Sequence, residues 1–494
     1  MMREQNSSDQ YSTWVGLIYI FNLIVGTGAL TLPAVFSKAG WALGFSVILI
    51  LAFISFVTVT FVIEVMASAN AIVTWRQIQH RKRAMQTLGE SGPSNSDSED
   101  TPLVTAYSAS PDRSDTTYRI YGAAVAKSMA DVACTYQPRN LTCNDTIPDN
   151  EVCWEGSALN RSDAYRMFLT IFVLTLGPFV FFNIQKTKYL QLLTSGIRWL
   201  AFTIMIVYAV RKLASDGAQG NPQLANISGI PSLFGACVYS FMCHHSLPAL
   251  VAPIVNKSTL NRSLAFDYVL IASFYLLLAL TGAFAFEHLD DLYTLDFGPR
   301  GSGDCSKSSN IFMLIIEYFL ALFPVFTLST SFPIIAITLR NNLQSLFLYE
   351  DTTYNFCLRK LIFPILAVLP PYLIAMSTKD LSKLVGITGS YAGTGIQYLI
   401  PTFLVYYARK KTNKVIGLGV INKFASPFSS NFWLIFVIVW AIACMFLVSV
   451  NFIQIHLQET MLMPIDSSAT DFNTDRFLFK IPTTQGSTVK ARNR

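Results

Sequence analysis

Charged residues are scarce in this sequence. Asp, Glu, Lys and Arg make up 13% of its 494 residues, against about 25% in ordinary soluble proteins. Hydrophobic residues make up 52% and include 37 phenylalanines. Long apolar runs with charge confined between them are typical of a multi-spanning protein in a lipid bilayer. The net charge of +6 requires no nucleic-acid partner, because the basic residues cluster beside apolar runs, where membrane orientation explains them.

Signatures of catalysis are missing as well. The sequence contains no H-E-x-x-H metal motif, no Walker A loop and no paired C-x-x-C. The glycine-rich run at 389–395 is not a nucleotide loop, because it lies in an apolar segment with no strand before it. The sequence therefore indicates no enzyme and no cofactor beyond a coupling ion. The first apolar run lacks a signal-peptidase site, so we expect it to remain as a transmembrane helix.

Ten apolar segments are long enough for a membrane span, which needs about 20 residues. They lie near residues 14–36, 41–66, 163–183, 190–210, 231–253, 264–286, 310–338, 361–377, 383–407 and 431–455. A weaker candidate at 118–133 carries Arg119, Lys127 and Asp131. Each charge opposes insertion by roughly 2.5–3.5 kcal/mol, whereas each Leu or Val favours it by about 0.3–0.6 kcal/mol. The sequence thus leaves ten or eleven spans open and predicts poor insertion of 118–133 alone.

Clusters of Lys and Arg set the predicted orientation. They follow the spans at 41–66, 163–183 and 383–407, which places those loops in the cytosol. The predicted organisation is a cytosolic N-terminus at 1–13, a transmembrane domain at 14–455, a disordered cytosolic loop at 76–117, a lumenal or extracellular loop at 134–162 and a polar tail at 456–494.

The 134–162 loop carries the marks of a lumenal or extracellular location. Its sequons predict glycosylation at Asn140, Asn144 and Asn160. The sequons at Asn256 and Asn261 lie in a loop predicted to be cytosolic and should stay unmodified. We expect at least two of four cysteines to be bridged, namely Cys134, Cys143, Cys153 and Cys305.

Polar residues interrupt the first apolar run at mid-depth. Gly26 and Gly28 weaken the helix there, and Thr27 adds a hydroxyl group. If the helix unwinds, amides near Gly28 and Ala29 present a partial positive charge, and carbonyls before Gly26 can bind a cation. Such a break would hold a zwitterion and a coupling ion at the membrane midplane. The alternative is a face of small residues that packs against another helix.

A second interruption is predicted in the 231–253 span. Ser240, Phe241, Cys243 and His244 precede Pro248 in a segment where polar groups favour a polar cavity. We predict that the first four line the substrate site together with Gly26, Thr27, Gly28 and Ala29.

Several side chains are candidates for ion coupling. Hydroxyl and carbonyl oxygens suit a hard cation, and we predict a cation site from Asn22, Val25, Thr327, Ser329 and Thr330. The alternative is that these hydroxyl groups bond to carbonyls of the preceding helical turn. The candidates for proton coupling are His244, His245 and Glu317. Arg198 is a fixed guanidinium that either replaces a sodium ion's charge or packs as a structural side chain.

Three motifs resemble the amino acid/auxin permease family, which includes the sodium-coupled neutral amino acid transporters. They are the first-helix pattern N-x-x-V-G-T-G-x-L-x-L-P at 22–33 followed by A-G-W, the pattern Y-S-F-x-C-H at 239–244, and the glycine-rich run from 386 to Pro401. The chain is most similar to a multi-spanning transmembrane-protein branch of this family. In the sodium-coupled relatives, the residues matching Asn22 and a hydroxyl near Thr330 act at the sodium site.

The resemblance implies a leucine-transporter-like all-α fold with two inverted five-helix repeats and one extra helix, about 11 spans in all. It differs at 118–133, where relatives have a fully apolar helix. The expected function is cation-coupled (Na⁺ or H⁺) secondary transport of small amino acids by alternating access. The expected location is the plasma membrane or an endolysosomal membrane. The alternative is a non-transporting amino acid sensor or scaffold that signals through its cytosolic segments.

Overall fold

The computed structural model describes residues 11–88, 111–136, 150–181, 188–298, 311–348, 358–378, 381–417 and 422–462. Within these residues the fold is all-α, with isolated β-bridges at Tyr11–Ile254 and Val152–Asn160. The α-helices are α1 (Thr13–Ile24), α2 (Thr27–Ala39), α3 (Trp41–Leu88), α4 (Pro111–Ala133), α5 (Arg161–Leu176), α6 (Lys188–Asp216), α7 (Ile230–Ser240), α8 (Leu247–Val251), α9 (Leu260–Ala285), α10 (Ile311–Phe347), α11 (Phe363–Ser377), α12 (Leu381–Thr388), α13 (Ile400–Val415) and α14 (Asn431–Leu462).

Each of the ten predicted spans coincides with a helix or a pair of helices. Seven described helices are long and apolar enough to cross a membrane, and α1 with α2 makes an eighth if the bent pair is one span. The predicted span at 231–253 falls outside this set because α7 and α8 are short. The one at 383–407 is interrupted by π-helical turns at Gly389–Gly393 and Gly395–Leu399. The count of eleven spans and the inverted repeats stay predictions.

The outer surface of the bundle is apolar. Large hydrophobic side chains on several helices are more than half exposed, among them Leu174 on α5, Val269 on α9, and Ile435 and Phe446 on α14. An exposed apolar surface of this extent is unfavourable in water and favourable against lipid. In contrast, α2 is buried along nearly its whole length, from Thr27 to Phe36. A helix that is apolar and covered on all sides belongs to the centre of a large bundle.

The weak candidate at 118–133 forms the C-terminal part of α4. Helix α4 packs against α5, α10 and α11, and the side chains of Ile120, Ala124 and Val125 are fully buried. Asp131 forms an ion pair with Arg161, with the atoms 3.9 Å apart. The insertion scale describes a segment alone in lipid. In the folded chain α4 packs against neighbouring helices, and Asp131 meets a protein group instead of lipid.

The 134–162 loop contains one disulfide within its described part. Cys134 and Cys153 are bonded at 2.02 Å and fully buried beside Ala164. The Trp154 indole donates to the Ala133 carbonyl oxygen at 3.0 Å, which fastens the loop to the end of α4. Asn160 precedes the first residue of α5. The other predicted positions in this group lie outside the described residues: Asn140, Asn144, Cys143 and Cys305.

The ends of the predicted 76–117 loop are helical. Helix α3 has 48 residues and continues to Leu88, and α4 begins at Pro111; residues 89–110 lie outside the described part. The described residues as far as Asn451 form one compact unit, and those from Phe452 onward belong to a second. Of the second unit the structure describes the last turns of α14, as far as Leu462. Most of the predicted tail at 456–494 lies outside the described residues.

Candidate substrate and cation site at two helix breaks

The first apolar span is broken between α1 and α2. Helix α1 ends at Ile24, α2 begins at Thr27, and their axes differ in direction by 51°. Val25 still donates its amide to the Phe21 carbonyl at 2.8 Å, and Ala29 donates to the Gly26 carbonyl at 3.2 Å. The break therefore lies at Val25 and Gly26, slightly before the predicted 26–28. It presents the carbonyl end of one helix beside the amide end of the next.

The second break lies where the sequence predicts it. Helix α7 ends at Ser240, and the short helix α8 begins at Leu247. Cys243 and His244 are buried in the intervening segment 241–246. Pro248 lies in the first turn of α8, where its missing amide hydrogen removes no helical hydrogen bond.

Two tyrosines connect the breaks. The Tyr275 hydroxyl on α9 lies 3.0 Å from the Ile24 carbonyl oxygen and 3.1 Å from the Ser240 carbonyl oxygen. These are the last residues of α1 and α7, so one buried hydroxyl contacts both free helix ends. The Tyr239 hydroxyl lies 3.1 Å from Thr27 Oγ1. Sequence reasoning missed Tyr275, because a tyrosine in an apolar span carries no local signal of what its hydroxyl contacts.

The two glycines of the first break have different surroundings. A Cβ added at Gly28 would lie 2.8 Å from Ser240 Cα, so α2 and α7 pack in close contact there. Among the described residues, a Cβ at Gly26 would meet only the Tyr121 hydroxyl, at 3.9 Å. The surroundings of Gly28 are thus those of a small residue that lets two helices pack closely, whereas open space beside the backbone lies at Gly26.

Arg198 contacts the carbonyl end of α1. Its Nη1 donates to the carbonyl oxygens of Asn22 and Val25, the latter at 3.0 Å. Its Nη2 lies 3.5 Å from Ser331 Oγ on α10. The Asn22 Oδ1 atom is buried and has no hydrogen-bond partner among the described residues. Two of the residues predicted to bind a coupling ion, Asn22 and Val25, therefore direct their carbonyl oxygens at a guanidinium group in this structure.

The hydroxyl groups of α10 bond within their own helix. Thr327 Oγ1 donates to the Phe323 carbonyl at 2.9 Å, and Thr330 Oγ1 donates to the Thr327 carbonyl at 2.9 Å. Ser329 is half-buried on the same helix. This is the pattern of the alternative in which the preceding turn satisfies the hydroxyls. Whether their lone pairs also bind an ion stays a prediction.

The predicted proton-coupling residues lie in different surroundings. His244 is buried, with its Nε2 2.8 Å from Thr58 Oγ1 on α3. His245 and Glu317 are half-buried. The Cys243 sulfur lies 3.4 Å from the Tyr268 hydroxyl, and the Phe241 ring packs edge-on against Tyr275 at a centroid distance of 5.1 Å.

A buried polar cluster beside His244 was not anticipated from the sequence. Ser55 lies 3.5 Å from the Tyr398 hydroxyl and accepts a hydrogen bond from the Gln397 amide. Gln397 and Tyr398 lie in the π-helical turn Gly395–Leu399. Single π-helical turns often occur at functional sites in α-helices. A glutamine in the middle of an apolar run was the available signal.

These features define a multi-pass integral membrane protein whose centre contains two interrupted helices. The family model described as "Transmembrane amino acid transporter protein" matches residues 9–94 and 149–454. The chain belongs to this family. The stretch between the matched segments, 95–148, contains α4, which is also where the sequence departs from the family pattern.

The chain is similar in sequence to several relatives over almost their entire length. The chain is 46% identical to "Transmembrane protein 104 homolog" of Drosophila melanogaster over 91% of this chain and 99% of the relative. It is 44% identical to "Transmembrane protein 104" of Homo sapiens over 92% of this chain and 99% of the relative. Identity to the homolog of Dictyostelium discoideum is 31%, over 88% and 96% of the two chains.

Proposed function

We propose that the protein is a secondary active transporter that moves small amino acids across its membrane by alternating access. The observation that carries this proposal is the pair of helix breaks, α1–α2 and α7–α8, joined by the hydroxyl group of Tyr275. Breaks at membrane depth are tolerated where they line a cavity or contact protein. In transporters they form the substrate site. Membership of an amino acid transporter family supports the substrate class.

The substrate carboxylate binds at the amide end of α2. Amides of Gly26, Thr27 and Gly28 lie in or next to the first turn, where helical partners are lacking, and the helix dipole favours an anion there. The 240–244 segment borders the opposite side. The Tyr121 hydroxyl borders the space beside Gly26. The proposed substrate-binding residues are Gly26, Thr27, Gly28, Ala29, Ser240, Phe241, Cys243 and His244.

A cation gradient, of Na⁺ or H⁺, drives uptake in this proposal. The oxygen atoms available to a cation belong to Asn22, Val25, Thr327, Ser329 and Thr330, and the proton-coupling candidates are His244, His245 and Glu317. The protein has eleven spans in two inverted repeats with a cytosolic N-terminus, in the plasma or endolysosomal membrane. Glycosylation at Asn160 and Asn256 tests this orientation. A glycan at Asn160 with none at Asn256 is the expected result, and a glycan at Asn256 alone would indicate the opposite orientation.

Uptake by the purified full chain in proteoliposomes tests the proposal. A panel of labelled small amino acids is offered with a sodium gradient, a proton gradient or neither. We expect accumulation above the level of empty vesicles for at least one amino acid under one gradient. Saturable binding without uptake under any gradient would instead favour the sensor alternative. Absence of both would contradict both functions.

Two glycine variants make the test specific to the first break. Gly26→Val places a branched side chain beside the break, in space that the fold leaves open. Gly196→Val is the matched control, because Gly196 is exposed on α6 and a Cβ there meets nothing within 4 Å. We expect both to fold, and only Gly26→Val to abolish uptake. Equal uptake by the two variants would remove Gly26 from the substrate site.

A further inference from the structure

We propose that the Arg198 guanidinium is a resident cation at the first helix break, in the place of a coupling ion, and that substrate binding is therefore independent of sodium. This inference rests on the proposed function and specifies its ion. It starts from the contacts of one side chain that is 4% exposed. Through them α6 is joined to α1 and α10.

The guanidinium contacts oxygen atoms of the kind that a metal cation needs, and two of them belong to residues of the predicted cation site. Its Nη1 donates to the carbonyls of Asn22 and Val25, and its Nη2 approaches the hydroxyl group of Ser331. Carbonyl and hydroxyl oxygens are also the ligands of hard cations. A sodium ion sharing these oxygens would lie next to a permanent positive charge. In a protein interior, repulsion between two neighbouring positive charges disfavours sodium binding there.

The charge of Arg198 is balanced without a carboxylate. The ion pairs of the described residues do not include Arg198. Its two carbonyl partners belong to the last turn of α1 or directly follow it, where the helix dipole is negative. Arginine stays protonated in proteins, so this charge neither leaves with the substrate nor responds to pH.

A fixed charge changes the electrostatics of the break. In a break without Arg198 the α1 carbonyls attract a cation and the α2 amides attract an anion. With Arg198 in place, the partial negative charge at the carbonyl end of α1 is already neutralised. The partial positive charge of the α2 amides has no such partner, and it attracts an anion. The break then binds the carboxylate of an amino acid with no inorganic cation. Any ion coupling must use a proton elsewhere in the chain.

The test compares Arg198→Ala with Arg211→Ala, which removes an exposed arginine from the same helix. Thermal unfolding of each purified full-length protein is measured in choline chloride, in sodium chloride and in sub-denaturing methylguanidinium chloride. We expect the wild type and Arg211→Ala to have the same melting temperature in all three. Arg198→Ala should melt at a lower temperature in choline and recover in sodium or methylguanidinium, because small cations can then reach the vacated oxygens.

Amino acid affinity supplies the second readout. Loss of a buried charged hydrogen-bond donor should weaken binding by Arg198→Ala about tenfold or more, and sodium should partly restore it. Arg198→Lys keeps the charge and should stay independent of sodium. If Arg198→Ala does not fold, sodium titrations of the wild type and Arg198→Lys decide the question.

Two results would overturn the inference. One is saturable stabilisation of the wild type by sodium, and the other is an Arg198→Ala variant that folds but responds to no cation. If the wild type binds no amino acid at all, the proposed function fails. The melting temperatures measured in the three salts without amino acid would still test the role of Arg198.

Discussion

Two arginines in this bundle, one buried and one partly exposed, have opposite kinds of partner. Arg409 on α13 forms a two-pronged ion pair with Glu64 on α3, at 2.7 and 2.8 Å, and its side chain is 22% exposed. Glu64 also accepts the Ser426 amide at 2.9 Å. Arg198 has neutral oxygens as its partners in the described residues. The Glu64 carboxylate balances the charge of Arg409, whose Nη1 also donates to the Ser429 carbonyl oxygen at 2.8 Å. The oxygens around Arg198 are ligands that another cation can also use.

The difference separates a structural role from a binding role. A matched pair of opposite charges excludes other ions and fixes the relative positions of the elements that carry it. A guanidinium held by carbonyls at a helix end occupies a cation site, because the negative end of the helix dipole attracts a cation whether or not the arginine is there. Variants at the two arginines, and at the groups around them, should therefore fail in different ways.

The largest effect is expected for Glu64→Gln. This change keeps the shape of the side chain and leaves the partly buried Arg409 charge without its counter-charge, which destabilises the fold by about 3 kcal/mol. The measurement is thermal unfolding of the purified protein. Combining it with Arg409→Gln should recover part of the loss, and sodium should recover none. If sodium restored the melting temperature of Glu64→Gln, the structural role of Arg409 could not be distinguished from the binding role of Arg198.

A steric change on the other side of the break comes next. Gly28→Val drives a branched side chain against the Ser240 backbone, so we expect a loss of about 1–3 kcal/mol from overpacking. Folded yield after size-exclusion chromatography should fall for Gly28→Val and stay normal for Gly26→Val. Normal yield for both, with uptake lost only in Gly28→Val, would move the carboxylate site to Gly28.

A smaller effect is expected from removing one hydroxyl group. Tyr275→Phe leaves the carbonyls of Ile24 and Ser240 without that donor, which costs about 1 kcal/mol. Its matched control is Tyr165→Phe, since the Tyr165 hydroxyl also donates to a buried carbonyl, that of Ala375 at 3.0 Å. Similar loss of stability in both, with amino acid affinity reduced only in Tyr275→Phe, is the expected result. Unchanged affinity in Tyr275→Phe would make the bridge purely structural.

The smallest effect should occur at a third arginine. Arg166 and Asp163 lie 3.4 Å apart on the exposed surface of α5, with side chains 48% and 42% exposed. Because exposed pairs contribute about 0–1 kcal/mol, Asp163→Asn should leave the melting temperature nearly unchanged at ordinary salt. A shift as large as that of Glu64→Gln would show that burial does not set the strength of these pairs.

Sequence patterns predicted the helices and both breaks, because apolar length, glycine and proline are local signals. Gly26 and Pro248 marked the interruptions to within a few residues. The contacts of Arg198 and Tyr275 could not be predicted in this way, since each depends on helices far apart in the chain. Gly28 shows the same limit: its glycine pattern fits both backbone access and close packing, and only the position of Ser240 distinguishes them.

The weak helix α4 illustrates a different limit. An insertion scale counts each charge against lipid, and 118–133 scores poorly on it. Helices α5, α10 and α11 surround this segment in the fold, and Arg161 pairs with Asp131. Partners that follow later in the chain thus change the surroundings of α4. A hydropathy value calculated for residues 118–133 alone does not include these partners.

Helix α3 has a mechanical consequence because of its length. At 1.5 Å per residue its 48 residues make a rod of roughly 70 Å, whereas the hydrocarbon core is about 30 Å thick. The half beyond the apolar stretch carries a basic cluster, Arg76, Arg81, Lys82 and Arg83. The apolar half contacts α7 and α9, beside the two breaks. If the rod tilts by about 10° around its middle, its far end moves by roughly 6 Å, so a small rearrangement inside the bundle becomes a displacement of several ångströms at its charged tip.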